Sequence, residues 1–180
     1  MVVVQTPAAH EMIAGHLAQM RHDQRIHVDV SVRFVRLPAT FESRASSENS
    51  TVARIEQALS SPGGAALIGR GGVICINGQR NFLLSTFVTP IPAAQDSPER
   101  AMLRGTVVEA RPTVGEDDTT VTLELSIAHY ADGEPVEWRA EDTVRCKDGE
   151  SLLLSGKPGC DPRIVALMTA KIEHMDAVGD

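Results

Sequence analysis

Alternation of apolar and polar residues marks one long strand in each half of the chain. The apolar positions are Ile26, Val28, Val30, Val32 and Phe34 in the first, and Val121, Leu123, Leu125 and Ile127 in the second. A period of two is typical of a strand with one buried face. We therefore predict long strands over Ile26–Phe34 and Thr119–Ile127. Val35 and Leu37 break the first pattern just before Pro38, which predicts a strand end or a bulge there.

Helical spacing follows two start signals in the first third of the chain. Thr6 and Pro7 form an N-cap and first-turn pair, which predicts a helix from about Pro7 to His22. Its apolar stripe consists of Met12, Ile13, His16, Leu17 and Met20. Thr51 is the expected cap of a shorter helix, whose common face holds Val52, Ile55, Ala58 and Leu59.

The last apolar run is predicted to be a third helix. Asp161 and Pro162 stand before it as cap and first helical residue. Its predicted apolar stripe is Ile164, Leu167, Met168, Ile172 and Met175. An apolar stripe must be buried against its own sheet or against another copy, and we favour the first because the Gly156–Gly159 link is short and flexible.

Turn signals divide the middle of the chain into further strands. Asn77-Gly78 predicts a type I′ hairpin between Val73–Ile76 and Phe82–Val88. Pro90 to Arg100 is predicted to be a loop that leads into a strand at Ala101–Arg111. Asp132-Gly133 predicts a tight turn before a strand at Val136–Lys147, and Asp148-Gly149 predicts a type I′ hairpin between that strand and Ser151–Leu154.

Antiparallel hairpins dominate this order of elements, which predicts an α+β, β-rich antiparallel fold. A short strand at Val2–Val4 and the first helix form the expected N-terminal unit, residues 1–24. The β domain follows over 25–157, and the C-terminal helix lies in 158–180.

Composition and charge narrow the function. The chain has 180 residues, 42% of them hydrophobic and 23% charged, as in globular proteins. Its formal net charge of −7 argues against a nucleic-acid partner, because such surfaces need clustered Lys and Arg. The start of the chain has no basic region and too short an apolar run for a signal peptide. We expect either a cytoplasmic protein or a piece of a longer exported chain.

Candidate residues for chemistry have simpler structural explanations. His10, His16 and His22 are six residues apart, whereas helical metal sites use spacings of three or four. Glu116, Asp117 and Asp118 follow Gly115 between two strands, which indicates a solvated turn. The three cysteines, Cys75, Cys146 and Cys160, are widely spaced and are expected to be buried free thiols, although a Cys146–Cys160 pair stays open.

The glycine-rich stretch Gly63–Gly72 is not a phosphate loop by sequence. It lacks the Gly-Lys-Ser/Thr ending and the strand–helix context that phosphate binding requires. A hinge or a tight β corner is the expected structure. We therefore expect no catalytic residue, no cofactor-binding residue, no metal site and no enzymatic activity.

The order of strands and turns resembles the C-terminal domain of bacterial secretins of type II and type III secretion. The resemblance covers about residues 1–157. It rests on Arg25–Val35 after the first helix, Ile74–Phe82 with its Asn-Gly turn, Gly105–Pro112, Thr119–Ile127 and Asp142–Gly156. Residues 1–24 resemble the end of a periplasmic ring module. Departures are the polar Pro38–Pro62 segment and Lys157, which stands where the family closes on a second glycine.

This resemblance implies a non-enzymatic component of protein secretion or pilus assembly that self-associates through strand edges into a ring or pore. It implies a homo-oligomer in the outer membrane or periplasm if the chain is part of a longer exported protein, with other secretion-system components as further partners. Membrane association is left open. The alternative is a soluble β-rich binding or scaffolding module that keeps the fold without forming a pore.

Overall fold

The computed structural model describes residues 6–41, 48–91, 100–130 and 138–175. Within these ranges the chain forms two helices and eight strands, and all strand pairs are antiparallel. The predicted α+β class is therefore confirmed. The helices are α1 (Pro7–Asp23) and α2 (Glu48–Leu59). The strands are β1 (Ile26–Arg36), β2 (Ala66–Ile76), β3 (Asn81–Ile91), β4 (Arg100–Val114), β5 (Thr120–Tyr130), β6 (Trp138–Lys147), β7 (Ser151–Ser155) and β8 (Ile164–His174).

Two four-stranded sheets face each other around one core. Sheet A has the order β2-β1-β8-β7, and sheet B has the order β3-β4-β5-β6. Alternate residues of β1 and β5 point into the space between the sheets, so Val28, Val30 and Leu123 are fully buried and Leu125 is 6% exposed. Both alternating strands are thus confirmed. The pairing of β1 with β2 shifts register between Phe34 and Val35, which confirms the predicted irregularity.

An aromatic cluster joins the two sheets at one end of the core. Phe34 of β1 stacks on the His129 ring of β5 at 4.9 Å between centroids and meets Trp138 of β6 edge-on at 5.2 Å. All three side chains are buried, and Thr106 Oγ1 lies 3.3 Å from His129 Nδ1. His129 is therefore part of the packing between the sheets.

Helix α2 covers the outer face of sheet A and makes a third layer. Ile55 is fully buried against Val35 and Leu167, and Arg33 of β1 forms an ion pair with Glu56. The predicted cap was wrong, because α2 begins at Glu48 and Thr51 lies inside it.

The predicted C-terminal helix is a strand, β8, at the centre of sheet A between β1 and β7. Its Ile164, Met168 and Ile172 face the core, and Leu167 faces α2. A strand buried on both faces reads as a continuous apolar run, which periodicity cannot distinguish from a helix. Asp161 does not cap a helix; its carboxylate accepts the Arg163 amide at 2.9 Å in a turn that leads into β8.

The two Gly-containing turns are present, but neither makes the predicted hairpin. β2 pairs with β1 and β3 with β4, so the chain crosses between sheets at Asn77-Gly78; it crosses back at Asp148-Gly149. Gly78 and Gly149 have φ of +75° and +70°, while Asn77 and Asp148 do not have positive φ. This is the pattern of a type II turn. Type I′ geometry suits strands that pair with each other, which these do not.

The glycine-rich stretch is not a single corner. A turn at Ser61–Gly64 precedes β2, and Gly69 and Gly71 lie within β2 itself. A Cβ at Gly71 would meet Thr106 Cγ2 at 2.7 Å and Val108 Cγ2 at 2.9 Å. The missing side chain therefore lets β2 lie directly against β4.

The prediction that a loop begins at Pro90 was wrong, because β3 continues through Pro90 to Ile91.

Helix α1 begins at Pro7 as predicted, with the Ala9 amide 3.4 Å from Thr6 Oγ1. Its stripe is exposed rather than packed, with Met12 at 71% and Met20 at 58%. Neither α1 nor α2 is long and apolar enough to cross a membrane. The predicted strand Val2–Val4 and the turn at Asp132-Gly133 lie outside the described residues.

Candidate functional site

The free edge of β3 carries three consecutive exposed apolar side chains, Phe82, Leu83 and Leu84. Sheet B ends at β3, and residues 81–85 are all exposed. Leu83 points to the inner side, opposite Val108, yet is 44% exposed, while Phe82 and Leu84 on the outer face are 62% and 56% exposed. Sheet A therefore does not cover residues 82–84 of this strand, which are apolar on both faces.

The backbone of β3 also offers hydrogen-bonding groups at this edge. The Phe82 amide is taken by Asn81 Oδ1 at 2.9 Å rather than by β4. Because backbone direction alternates along an antiparallel strand, Leu84 and Pro90 turn the same way as Phe82. A proline without an N–H is tolerated on such an edge. β3 thus has the geometry of an edge strand along its length.

The crossover from β2 to β3 is held in place by the end of β4. Gly78 donates its amide to the Pro112 carbonyl at 2.8 Å, and Asn77 Oδ1 accepts the Val114 amide at 2.9 Å. Arg80 bridges Glu109 and Glu124, each at 3.1 Å. Exposed ion pairs contribute about 0–1 kcal/mol each, so the backbone bonds carry most of this constraint. The first residues of β3 are therefore fixed in direction.

The opposite edge of sheet B, β6, is partly occupied by its own chain. Lys157 donates its amide to the Arg139 carbonyl at 2.7 Å, and Asp142 Oδ1 and Glu150 Oε2 accept the amides of Thr143 and Lys147. These odd-numbered positions turn away from β5. Such internal partners protect an edge strand from uncontrolled pairing. The edge of β6 is thus more protected than that of β3.

A groove of about 430 Å³ runs between β6 and β7. Val144 and Leu152 give it apolar walls, and Glu141, Asp142 and Lys157 line its rim. Glu141 contacts both Lys157 and Arg139, and these hydrogen bonds lower its pKa. A strand with alternating apolar and polar side chains would fit this groove, because the walls are apolar and the rim is polar.

The residues considered for chemistry lie apart in the fold. His10 and His16 are on α1, and His129 is in the core. Asp117 accepts the amides of Thr119 and Thr120, and these bonds lower its pKa to about 2, which confirms the turn. Among the described residues, no three His, Cys, Asp or Glu side chains are arranged to hold a metal ion.

The cysteines are free thiols as predicted; Cys75 and Cys146 are buried, whereas Cys160 is partly exposed, contrary to the prediction. Burial raises the pKa of Cys75, and burial followed by the charges of Glu150 and Asp148 raises that of Cys146 to about 11. A thiol with a raised pKa is a poor nucleophile at neutral pH. The two edges of sheet B, β3 and β6, are the candidate functional site, and sequence periodicity did not locate them. The signal available in the sequence was the cluster Phe82-Leu83-Leu84 after an Asn-Gly turn.

Solved secretins have a similar fold. The type II secretion system secretin GspD of E. coli K12 has a TM-score of 0.55 and 10% identity, over 95% of this chain and 55% of that one. The ETEC pilotin–secretin AspS–GspD complex has a TM-score of 0.50 and 11% identity, over 96% of this chain and 54% of that one. The chain thus has a secretin-like fold and spans about half the length of these solved chains. No family model and no curated protein matches its sequence.

Proposed function

We propose that this chain is a secretin-like component of a bacterial type II or III secretion or pilus assembly system, and that it self-associates through the edges of sheet B. The observation that carries this proposal is β3, a fixed edge strand with Leu83 and Leu84 exposed on opposite faces. Buried apolar surface contributes about 25 cal/mol per Å², so covering this strand favours association. The similar fold of the solved secretins supports the same function.

The two edges of sheet B are complementary in shape. Within sheet B, β3 and β6 run in opposite directions, because each step from β3 to β6 is antiparallel. A neighbour's β3 can therefore add to β6 as an antiparallel strand when sheet B continues from one copy to the next. Its Leu83 would then face the groove beside Val144 and Leu152. Such a contact joins two different surfaces, and its repetition closes into a ring when the rotation permits.

The outer face of sheet B is suited to water. Arg111 and Glu124 lie on it, 3.7 Å apart, with Arg139 and Glu141 farther along the sheet. Charged groups are costly to transfer from water into an apolar environment. We therefore place this face towards solvent or an aqueous passage. For the longer secretion protein of which this chain would form a part, we propose the outer membrane or periplasm.

Light scattering coupled to size exclusion tests the proposal, with and without detergent, on the parent chain and on Leu83→Lys, whose side chain would face the groove of the neighbouring copy. A lysine on an edge strand opposes pairing, so we expect large oligomers from the parent and fewer from the variant. Met12→Lys on α1 is the matched control, because Met12 is an exposed apolar side chain of a helix and not of sheet B. A parent that stays a monomer or dimer in every condition would favour the scaffolding module instead. Equal loss of assembly in both variants would show that β3 is not the interface.

A further inference from the structure

The segment Gly156–Cys160, which we call the strap, lies against the β6 edge. Its Lys157 amide donates to the Arg139 carbonyl at 2.7 Å, and Lys157 Nζ contacts Glu141 Oε2 at 2.6 Å. A Cβ on Gly156 would lie 2.7 Å from Trp138 Nε1, so the strap rests directly on the indole ring. The strap therefore occupies the position beside Arg139 where a strand added to β6 would lie.

The strap is attached more weakly than the strands on either side of it. Lys157, Pro158 and Gly159 are exposed, and Pro158 has no amide to donate. Its ion pair with Glu141 is also exposed, and exposed pairs contribute little to stability. Segments with few buried contacts open at low free-energy cost while the rest of the fold stays intact. β7 and β8, in contrast, are held by a continuous ladder of strand pairing.

We propose that the strap is an autoinhibitory contact that regulates assembly of this chain through β6. A second copy whose β3 extends along β6 competes with the Lys157 amide for the Arg139 carbonyl. While the strap is closed, pairing is limited to the part of β6 from Glu141 to Lys147, where the Thr143 and Lys147 amides must first leave Asp142 and Glu150. Release of the strap extends the paired edge and favours the assembled state. This inference rests on the proposed self-association through sheet B.

Lys157→Pro removes the amide that holds the strap, and Gly156→Ala displaces the strap by a different route, through the contact with Trp138. Lys157→Gln keeps the amide and removes only the charge, so it is the control. The assay is the protein concentration at half assembly, from light scattering of the full chain, with thermal melting as the test of folding. We expect Lys157→Pro and Gly156→Ala to lower this concentration by about two- to tenfold, the range that one net hydrogen bond supplies. Lys157→Gln should change it by less.

Three results would contradict the proposal that the strap inhibits assembly. The first is a half-assembly concentration that is unchanged in folded Lys157→Pro and Gly156→Ala while the parent assembles; self-association itself would then stand. The second is unfolding of both variants, because the segment would then be part of the structural core. The third is no assembly of the parent or of either variant, which would overturn the proposed function together with this inference.

Discussion

Replacement of Gly71 by alanine tests how closely the two sheets are packed. Gly71 lies in β2, and β2 faces β4 across the core. The added Cβ would lie 2.7 Å from Thr106 Cγ2 and 2.9 Å from Val108 Cγ2. Both distances are well below ordinary van der Waals contact of about 3.5–4.0 Å. The strands must separate or the side chains must leave their preferred rotamers.

The expected cost follows from the number and kind of these contacts. Thr106 and Val108 are 2% and 0% exposed, so neither methyl group can move into solvent. Overpacking a close-packed core typically costs about 1–3 kcal/mol. We expect Gly71→Ala to lower the free energy of unfolding by this amount. Gly15→Ala is the control, because nothing lies within 4 Å of that position and alanine favours a helix.

The assay is chemical denaturation of the parent and of Gly71→Ala. The same pair is then compared in a background that carries both Thr106→Ser and Val108→Ala. That background removes both clashing methyl groups and keeps the Thr106 hydroxyl as serine. We expect the cost of Gly71→Ala to fall below about 0.5 kcal/mol there, a coupling that a double-mutant cycle resolves. The reasoning is refuted if Gly71→Ala costs the same in both backgrounds, or if it costs no more than Gly15→Ala.

Two further predictions concern turns. Gly149 has φ of +70° and open space around its Cβ position. Gly149→Val should therefore destabilise the fold by about 1–2 kcal/mol through backbone strain, whereas Gly149→Asn should be tolerated. Equal melting temperatures of the two variants would contradict this. The pKa of Asp117 is lowered from 3.8 to about 2, so its stabilisation is complete above pH 3.8 and is lost as pH falls to about 2. Melting temperatures measured from pH 5 to pH 2 should show this loss of stability in the parent and in Asp118→Asn but not in Asp117→Asn. The same pH dependence in all three proteins would exclude the hydrogen bonds of Asp117 as the cause.

The sequence predicted strands with one solvated face better than it predicted buried or crossing elements. β1 and β5 alternate because one face meets the core, and this period is visible without the structure. β8 has sheet B on one face and α2 on the other, so its residues Ile164–Met168 carry no polar alternation. Asn77-Gly78 was recognised as a turn, yet the residues of a turn do not specify which sheet the next strand joins.

The exposure of the edges of sheet B depends on how the two sheets pack together, and no local sequence pattern encodes that packing. Phe82-Leu83-Leu84 is apolar whether the strand is central or at an edge. It is exposed here because β2, the last strand of sheet A, lies against β4 and leaves β3 beyond it. That position depends on Gly71 in one strand and Val108 in another, more than thirty residues later. The strap likewise depends on contact between Lys157 and Arg139, which are distant in sequence.

The two sheets are offset, and this offset explains why the edges of sheet B differ. On one side β3 projects past β2 with both faces uncovered. On the other side β7 and the strap lie beside β6 and form a groove with it. In the proposed self-association, the projecting strand of one copy would pack in the groove of the next, which predicts a head-to-tail contact rather than a twofold one. Gly71 lets β2 lie close to β4, so a change at this position would affect the proposed assembly surface as well as the core. A Gly71→Ala protein that folds should consequently assemble less well than its stability alone predicts, because a shifted β2 changes the exposure of Leu83.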